Sequence, residues 1–319
     1  MNSCLSTPIT VMGRGPRNGL GCLTAALTAI IAFSSFMPAF AEQQAGMPKV
    51  LLVGFSSRVF PDIDQRDAQV AMELWARELS RKSGIPAAQV TIFHDTAMLR
   101  KAVQRGMLHI VTMSAIEYLK VRDEISLNPA FVASTRVGRN MDQLLIVHRD
   151  SGIRKVKDLR DKSFAMLPSA KLEVARIWVN VLLRRNGIRE GSACFCRVKE
   201  YTKASKAIMG VFFRQADATV VSRGTFETCR ALNPQLGEEL VILAESPSLM
   251  GNITCLSLSI SAPFRSAIEN AALHLHENSV GKQILTLFQI DRVIRFKGAD
   301  LAGVEELLAE QARMRRKED

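Results

Sequence analysis

The alternation of strand and helix patterns constrains the fold of this chain more than any other feature of its sequence. Val50–Gly54 is a continuous apolar run, as expected of a strand that is buried on both faces. Asp64–Ser83 follows with apolar residues at helical spacing, and Gly84 is a stop signal. Similar pairs of patterns recur as far as Ile253–Ile260. The alternation predicts an α/β protein of mostly parallel sheets covered by helices.

The segment Val156–Val179 combines a predicted strand, a proline, a serine and a long helical pattern. The strand is predicted over Ser163–Leu167, and Ser169 stands where a helix N-cap belongs. A helix that begins just past a strand presents free backbone N–H groups and a positive dipole end, which favour an anion near Ser169, Ala170 and Lys171. An ordinary capped helix has the same pattern, so this segment alone leaves both interpretations open.

The N-terminus has the pattern of a cleavable secretory leader. A basic region precedes the apolar stretch Leu20–Phe36, and a small-x-small cleavage site ends at Ala41. We therefore expect residues 1–41 to be a signal peptide and the mature, periplasmic protein to begin at Glu42. A membrane anchor is the rival interpretation, but polar residues interrupt the apolar stretch, which is shorter than the ~20 residues that a bilayer span needs.

Charge and cysteine content limit the classes of partner. The chain has a net charge of +11, which favours acidic ligands, while nucleic acid is not an expected partner of an exported protein. Cys194, Cys196, Cys229 and Cys255 would remain after the leader is removed. In an oxidising compartment these favour at least one disulfide, with buried thiols as the alternative. Their spacing matches no zinc template, so we expect no metal site. The sequence also has no glycine-rich nucleotide loop, and we expect no cofactor.

Two stretches of the chain resemble each other. Leu99–Ser114 and Ser205–Ser222 each contain a helix pattern, a tight turn, a strand and a final serine, and their alignment matches His109 with Asp217. The similarity predicts two lobes of the same βαβ design, each with a hydroxyl at the carboxyl edge of a strand. Chance similarity between two βαβ units is the alternative.

Further candidate ligand residues stand at the ends of strands, where open α/β sheets bind their ligands. Ser56 and Ser57 follow the first predicted strand, and Ser222 and Arg223 follow a later one. These positions also suit ordinary turn residues. Tyr118 could stack on a ligand or belong to the core.

Several short motifs occur in a fixed order over roughly Lys49–Phe296: Gly106-x-x-His109, Met113-Ser114-Ala115-x-x-Tyr118, Asp158–Ala165 followed by Ser169, Gln215–Ala218 and Ala244–Pro247. Together they resemble the motifs of phosphonate-type periplasmic substrate-binding proteins, the soluble receptors of ABC importers. The resemblance implies the type 2 periplasmic-binding fold, in which two α/β lobes enclose a ligand cleft. It also implies the following division: residues 49–136 and 255–297 as lobe 1, residues 137–254 as lobe 2, residues 298–319 as a C-terminal helix, and hinges near Arg139–Gln143 and Gly251–Cys255.

The function implied by the resemblance is capture of a small anionic ligand by lobe closure and its delivery to an ABC permease, by a protein expected to be monomeric. The expected ligand-binding residues are Ser56, Ser57, Ser114, Tyr118, Ser169, Ala170, Lys171, Ser222 and Arg223. The family usually has an S-T-S-G cluster where this chain has one hydroxyl, at Ser169, so the ligand could be phosphonate-like or another oxyanion.

Two other classes of function are weighed against the receptor. A sensor or interaction protein of the same fold would present its ligand state to a membrane partner. A hydrolytic enzyme is the third class, but the chain has neither a G-x-S-x-G nor an H-E-x-x-H pattern and its histidines are dispersed. We therefore expect no catalytic residues.

Overall fold

Two mixed β-sheets with flanking helices form the part of the chain that the computed structural model describes, which is residues 47–59, 65–134, 142–167, 173–188, 195–288 and 290–316. Its strands are β1 (Val50–Ser56), β2 (Ala87–Phe93), β3 (Ile110–Ser114), β4 (Leu127–Ser134), β5 (Gln143–His148), β6 (Lys162–Met166), β7 (Phe195–Glu200), β8 (Ala218–Ser222), β9 (Leu240–Glu245), β10 (Asn252–Ser257) and β11 (Arg292–Arg295). Its α-helices are α1 (Gln65–Lys82), α2 (Thr96–Gln104), α3 (Ala115–Val121), α4 (Glu173–Arg185), α5 (Ala204–Phe212), α6 (Arg223–Leu232), α7 (Gln235–Glu239), α8 (Ala262–Leu273), α9 (Ser279–Leu287) and α10 (Ala302–Arg315). The predicted leader lies outside the described residues.

The strand orders are β11–β4–β10–β3–β1–β2 in the first sheet and β7–β6–β8–β5–β9 in the second. In the first sheet, β1 is parallel to β2 and β3, whereas β10 runs antiparallel to β3 and β4. In the second sheet, β6 is parallel to β7 and β8, whereas β5 runs antiparallel to β8 and β9. We call the part of the chain that forms the first sheet lobe 1 and the part that forms the second sheet lobe 2.

Each lobe is built on the same parallel unit, which is β1-α1-β2-α2-β3 in lobe 1 and β6-α4-β7-α5-β8 in lobe 2. The strand that arrives from the other lobe, β10 or β5, pairs antiparallel to the third strand of that unit. This arrangement confirms the predicted two-lobe α/β fold. The sheets are mixed rather than mostly parallel, because the strands that carry the chain between the lobes run against the parallel unit.

The chain changes lobe twice. It passes from β4 to β5 through residues 135–141, which lie outside the described residues, and returns from β9 to β10 through residues 246–251. The two crossovers meet at Gln143 and Ser246. The Gln143 N–H donates to Ser246 Oγ (2.8 Å), and the Ser246 N–H donates to the Gln143 carbonyl oxygen (2.9 Å). The lobe boundaries implied by the resemblance stay predictions.

One apolar cluster is shared by the two lobes. It joins Met113 of β3 and Ile116 of α3 to Phe164 of β6 and Trp178 of α4, and it includes Leu307 of the C-terminal helix α10. Buried apolar area of this kind supplies most of the stabilisation of a fold. The shared cluster therefore stabilises each lobe and also the contact between the two lobes.

The C-terminal helix α10 contacts both lobes. Its Glu305 pairs with Arg122 of lobe 1 (Oε1 to Nη1, 2.6 Å), and its Glu310 pairs with Arg185 of lobe 2. Gly303 permits close approach to the second crossover, since a Cβ there would lie 2.3 Å from the Ser248 carbonyl oxygen. Among the described residues, no helix is both long enough and apolar enough to cross a membrane.

Two features differ from the predictions. The strands β2 and β11 were not predicted; both lie at sheet edges, where the apolar signal is weak. Cys229 and Cys255 are free thiols, so any predicted disulfide that includes either of them is wrong. Burial raises the pKa of both thiols, which favours their protonated form. Cys194 and the side chain of Cys196 lie outside the described part of the chain.

Candidate functional site

A serine ends the third parallel strand of each lobe and caps the helix that follows. Ser114 ends β3 and has φ −67° and ψ 152°, and Ser222 ends β8 and has φ −67° and ψ 148°. Ser114 Oγ accepts the Glu117 N–H (3.2 Å), and Ser222 Oγ accepts the Thr225 N–H (3.3 Å). The two serine corners therefore have the same backbone conformation and the same cap, as the internal similarity predicts.

Each serine corner is attached to a crossover in the same way. Ser114 lies opposite Asn252, the first residue of β10, and Ser222 lies opposite Gln143, the first residue of β5. In lobe 1, the N–H of the residue after the serine donates to the Gly251 carbonyl oxygen (2.9 Å). In lobe 2, the corresponding N–H donates to the Asp142 carbonyl oxygen (2.8 Å). Both hydroxyls therefore stand where the chain passes between the lobes.

The far ends of β3 and β8 also correspond. The His109 N–H donates to the Leu52 carbonyl oxygen (2.8 Å), and the Leu52 N–H donates to His109 Nδ1 (3.1 Å). In lobe 2, the Asp217 N–H donates to the Ser163 carbonyl oxygen (3.0 Å), and the Ser163 N–H donates to Asp217 Oδ2 (2.7 Å). His109 and Asp217 are therefore structural residues that join the first and third strands of their lobes.

A buried carboxylate organises the lobe 1 corner. The side chain of Glu117 is 3% exposed, and its Oε1 accepts the hydroxyls of Ser56 and Thr96 (2.8 Å each). Its Oε2 accepts the Ser114 N–H (3.1 Å), and Arg58 Nε lies 3.4 Å from Oε1. The Ser56 hydroxyl therefore donates its hydrogen to Glu117 and not to a ligand.

A second carboxylate joins the lobes at this corner. Glu173, in the first turn of α4, lies 2.5 Å from Lys120 Nζ (Oε1) and 3.5 Å from Arg58 Nη1 (Oε2). Arg58 and Lys120 belong to lobe 1, whereas Glu173 belongs to lobe 2. Two lobe 1 cations therefore converge on one lobe 2 carboxylate.

The lobe 2 corner has its own charged group. Arg223 pairs with Glu245, and its Nε lies 3.7 Å from Asp142 Oδ2. Burial raises the pKa of Asp142, while Arg223 acts in the opposite direction. Arg223 thus stands between the two crossovers, next to Ser222.

The predicted site residues fall into three groups. Ser114, Ser222 and Arg223 lie at the two serine corners, and Ser57 follows the end of β1. Tyr118 is buried in the shared apolar cluster, where burial raises its pKa, so the structure places it in the core. Ser169, Ala170 and Lys171 lie outside the described residues.

Glu117, Thr96 and Glu173 are absent from the sequence-based list. Glu117 had a local signal, because Ser114-x-x-Glu117 is a capping-box pattern. Thr96 begins α2, the helix that follows β2, and β2 was not predicted. Glu173 had no local signal, because its partners come from distant parts of the sequence.

One group of potential metal ligands occurs among the described residues, at His148, Asp150 and Glu239. His148 Nδ1 accepts the Asp150 N–H (3.1 Å), and its Nε2 lies 3.6 Å from Glu239 Oε2. Asp150 in turn pairs with Arg214 (Oδ2 to Nη2, 2.8 Å), so each of the three side chains has a protein partner.

The family model for the periplasmic substrate-binding proteins of phosphonate ABC transporters matches residues 58–301. The chain belongs to this family. It is therefore a solute-binding receptor of the ABC-import type and of periplasmic location, in a family of binding proteins rather than enzymes. None of the curated proteins matches the sequence.

Solved structures agree with this fold. PhnD1 from Prochlorococcus marinus in complex with methylphosphonate is 17% identical, with a TM-score of 0.61 over 82% of the receptor and 97% of PhnD1. A binding protein component of an ABC phosphonate transporter from Pseudomonas aeruginosa is 14% identical, with a TM-score of 0.61 over 83% and 87% of the two chains. The aliphatic sulphonate binding protein SsuA from Escherichia coli is 12% identical, with a TM-score of 0.51 over 85% and 88%.

Proposed function

We propose that the receptor binds a small oxyanion of the phosphonate or sulfonate class between the two serine corners. The ligand would contact Ser114 from lobe 1 and Ser222 and Arg223 from lobe 2. Ser57 and the segment Ser169–Lys171 complete the proposed set. In this proposal Ser56 supports the site through Glu117, and Tyr118 supports it from the core.

The observation that carries the proposal is the duplicated serine corner. The Ser114 hydroxyl accepts a backbone N–H, and its own hydrogen is donated to none of the described residues. Ser222 Oγ lies 2.9 Å from Thr225 Oγ1, and either hydroxyl can be the donor in that contact. Each corner can therefore offer a hydroxyl hydrogen to an anion without losing its cap. A tetrahedral oxyanion has enough acceptor oxygens to use donors from both sides.

Relatives of the same fold support this class of ligand. PhnD1 is in complex with methylphosphonate, and SsuA binds aliphatic sulphonates. Both ligand types have an apolar substituent on a group of three oxygens. A ligand that contacts both corners would favour the closed arrangement of the lobes, because only that arrangement makes both sets of contacts.

Thermal unfolding of the mature protein with methylphosphonate, ethanesulfonate and inorganic phosphate tests the proposal. An anion at a hundred times its Kd should add ~2.7 kcal/mol of stability, which raises the Tm by roughly 5 °C for a chain of this size. Ser222→Ala should weaken the response to the same anion. Ser261→Ala is the matched control, because Ser261 caps α8 through the Phe264 N–H, away from both corners.

A Tm that no anion of the panel changes would contradict the proposed ligand class. An equal loss of response in Ser222→Ala and Ser261→Ala would contradict the proposed position of the ligand, because a capping serine far from both corners would then be as important as a corner serine.

We also propose that residues 1–41 are removed on export and that the mature protein acts as a monomer that docks on an ABC permease. The mass of the periplasmic protein checks the first part, with Glu42 expected as the first residue. Its molar mass in solution checks the second part. A product that retains the leader in the membrane would contradict the proposed export.

A further inference from the structure

An ion-pair cluster joins the two lobes beside the proposed ligand site. Glu173 of lobe 2 lies between Arg58 and Lys120 of lobe 1, with one carboxylate oxygen toward each cation. The exposed fractions of the three side chains are 28% for Glu173, 37% for Arg58 and 57% for Lys120. The cluster is thus accessible to water and to small solutes, and it is not part of the core.

Arg58 is oriented for this contact by lobe 1 itself. Its Nε lies next to the buried Glu117 carboxylate, and its backbone N–H donates to Ser56 Oγ (3.3 Å). With one edge of the guanidinium turned toward Glu117, Nη1 extends to Glu173. The geometry therefore presents a preoriented guanidinium edge and a lysine ammonium to a carboxylate on the other lobe.

A carboxylate held by one arginine and one lysine occupies a position that suits the oxygens of another anion equally well. Arginine binds carboxylate and phosphate-like groups with the same planar donor geometry, and lysine acts on either as a point charge. Ion pairs of this exposure are individually weak, because water screens them, so a solute anion can compete with them.

We propose that Glu173 is an internal counter-ion that neutralises Arg58 and Lys120 in the ligand-free receptor, and that an oxyanion ligand binds by replacing the Glu173 carboxylate on these two cations. This inference rests on the proposed oxyanion function and assigns to it the lobe 1 cations and an internal competitor. The same carboxylate draws the ligand-free lobes together, because its two partners belong to the opposite lobe.

Glu173→Gln is the main test, with Glu269→Gln as the matched control. Glu269 pairs with Arg295 (Oε2 to Nη1, 2.5 Å), has a side chain that is 21% exposed, and lies with its partner in lobe 1. Both variants therefore remove one negative charge, with two ion pairs lost at Glu173 and one at Glu269, but only Glu173→Gln removes contacts between the lobes. Methylphosphonate, ethanesulfonate and phosphate serve as probes in calorimetric titrations, and X-ray scattering reports the radius of gyration without ligand.

We expect Glu173→Gln to bind the responsive anion several-fold to about tenfold more tightly than Glu269→Gln, the range that follows when ion pairs of this strength no longer compete. We also expect its ligand-free radius of gyration to be larger than that of the control. Lys120→Gln should have the opposite effect on affinity, because it removes a cation that the ligand needs. Lys120 is mostly exposed, so this variant should fold as the parent does.

The outcomes separate this inference from the proposed function. If the receptor binds an anion and Glu173→Gln binds it no more tightly than Glu269→Gln, the internal counter-ion is overturned and the oxyanion function stands. Weaker binding by both Glu173→Gln and Lys120→Gln also overturns it, since Glu173 would then support the bound state. If neither the receptor nor Glu173→Gln binds any of the three anions, the proposed function and this inference both fall.

Discussion

The serine corners of the two lobes have one backbone design and two different chemistries. In both, a strand ends in a serine that caps a helix, and the next N–H binds the crossover. In lobe 1, the third helical residue is Glu117, whose buried carboxylate collects donors from several elements. In lobe 2, the corresponding residue is Thr225, whose hydroxyl contacts the capping serine of its own helix. The duplicated fold therefore supplies the frame, while the residue at one helical position decides how each corner is held.

The first strands of the parallel units differ in a complementary way. The pairing registers place Gly54 of β1 in the position of Ala165 in β6, and Leu108 in the position of Ala216. A Cβ on Gly54 would lie 2.7 Å from Leu108 Cδ1. Lobe 1 thus has a large residue against a glycine where lobe 2 has two alanines. In lobe 1 the leucine side chain fills the space that a Cβ on the glycine would need, whereas in lobe 2 each of the two positions supplies one methyl group.

The largest expected difference between the lobes is at the serine corners. Glu117→Ala should lower the free energy of unfolding by about 3 kcal/mol, because it leaves two hydroxyls and one N–H without their acceptor inside the protein. Thr225→Ala should lower it by about 1 kcal/mol, since it removes the part-buried hydrogen bond between the Thr225 and Ser222 hydroxyls. Urea denaturation of the two variants measures both values. Equal losses would contradict the special role of Glu117.

The next difference concerns packing at Gly54. Gly54→Ala should destabilise the protein by about 1–3 kcal/mol, the usual effect of an added methyl group in a filled core. In a Leu108→Ala background the same change should cost little or should stabilise, because the pair then matches Ala165 and Ala216. A double-mutant cycle measures the coupling. Additive effects would show that Leu108 does not fill the space above Gly54.

A smaller expected difference between the lobes is the pH dependence of stability that His109 adds to lobe 1. Burial lowers the pKa of His109 below its ordinary value of 6.5, so the folded state favours the neutral ring. The associated stability is complete above about pH 6.5 and is lost as the pH falls, because the unfolded chain then binds a proton that the folded chain does not.

His109→Asn should remove this dependence, since its amide oxygen can still accept the Leu52 N–H. The stability difference between parent and variant should change by at most about 1.4 kcal/mol per pH unit below pH 6.5. Urea denaturation at pH 7.5 and pH 5 measures it. A parallel decline of both proteins over that interval would contradict the assignment to His109.

The smallest expected effects are those of the caps themselves. Ser114→Ala and Ser222→Ala should each lower the free energy of unfolding by about 0.5–1 kcal/mol, the usual contribution of a serine N-cap. The two values should be similar, because the cap geometries are the same. A much larger loss in Ser114→Ala would indicate that this hydroxyl also supports the Glu117 network.

Much of the fold could be predicted because its signals are local. Three signals can be read from short stretches of sequence. They are the apolar faces of the helices and strands, the serines at the ends of β3 and β8, and the repeated pattern of the two parallel units. The edge strands β2 and β11 escaped prediction because their pairing partners, and not their own pattern, define them. Glu117 had a visible capping pattern, but its burial and its contacts with Ser56 and Thr96 depend on the return of distant strands.

By itself, the sequence determined the two-lobe α/β frame, the family and the presence of a hydroxyl at each corner, since capping bonds and apolar periodicity are set within one or two turns of chain. Only the tertiary structure decided what each corner holds. Arg58, Lys120 and Glu173 meet because the chain crosses between the lobes and brings the start of α4 next to α3. An ion pair depends on distance in space, and no pattern along the sequence encodes that distance.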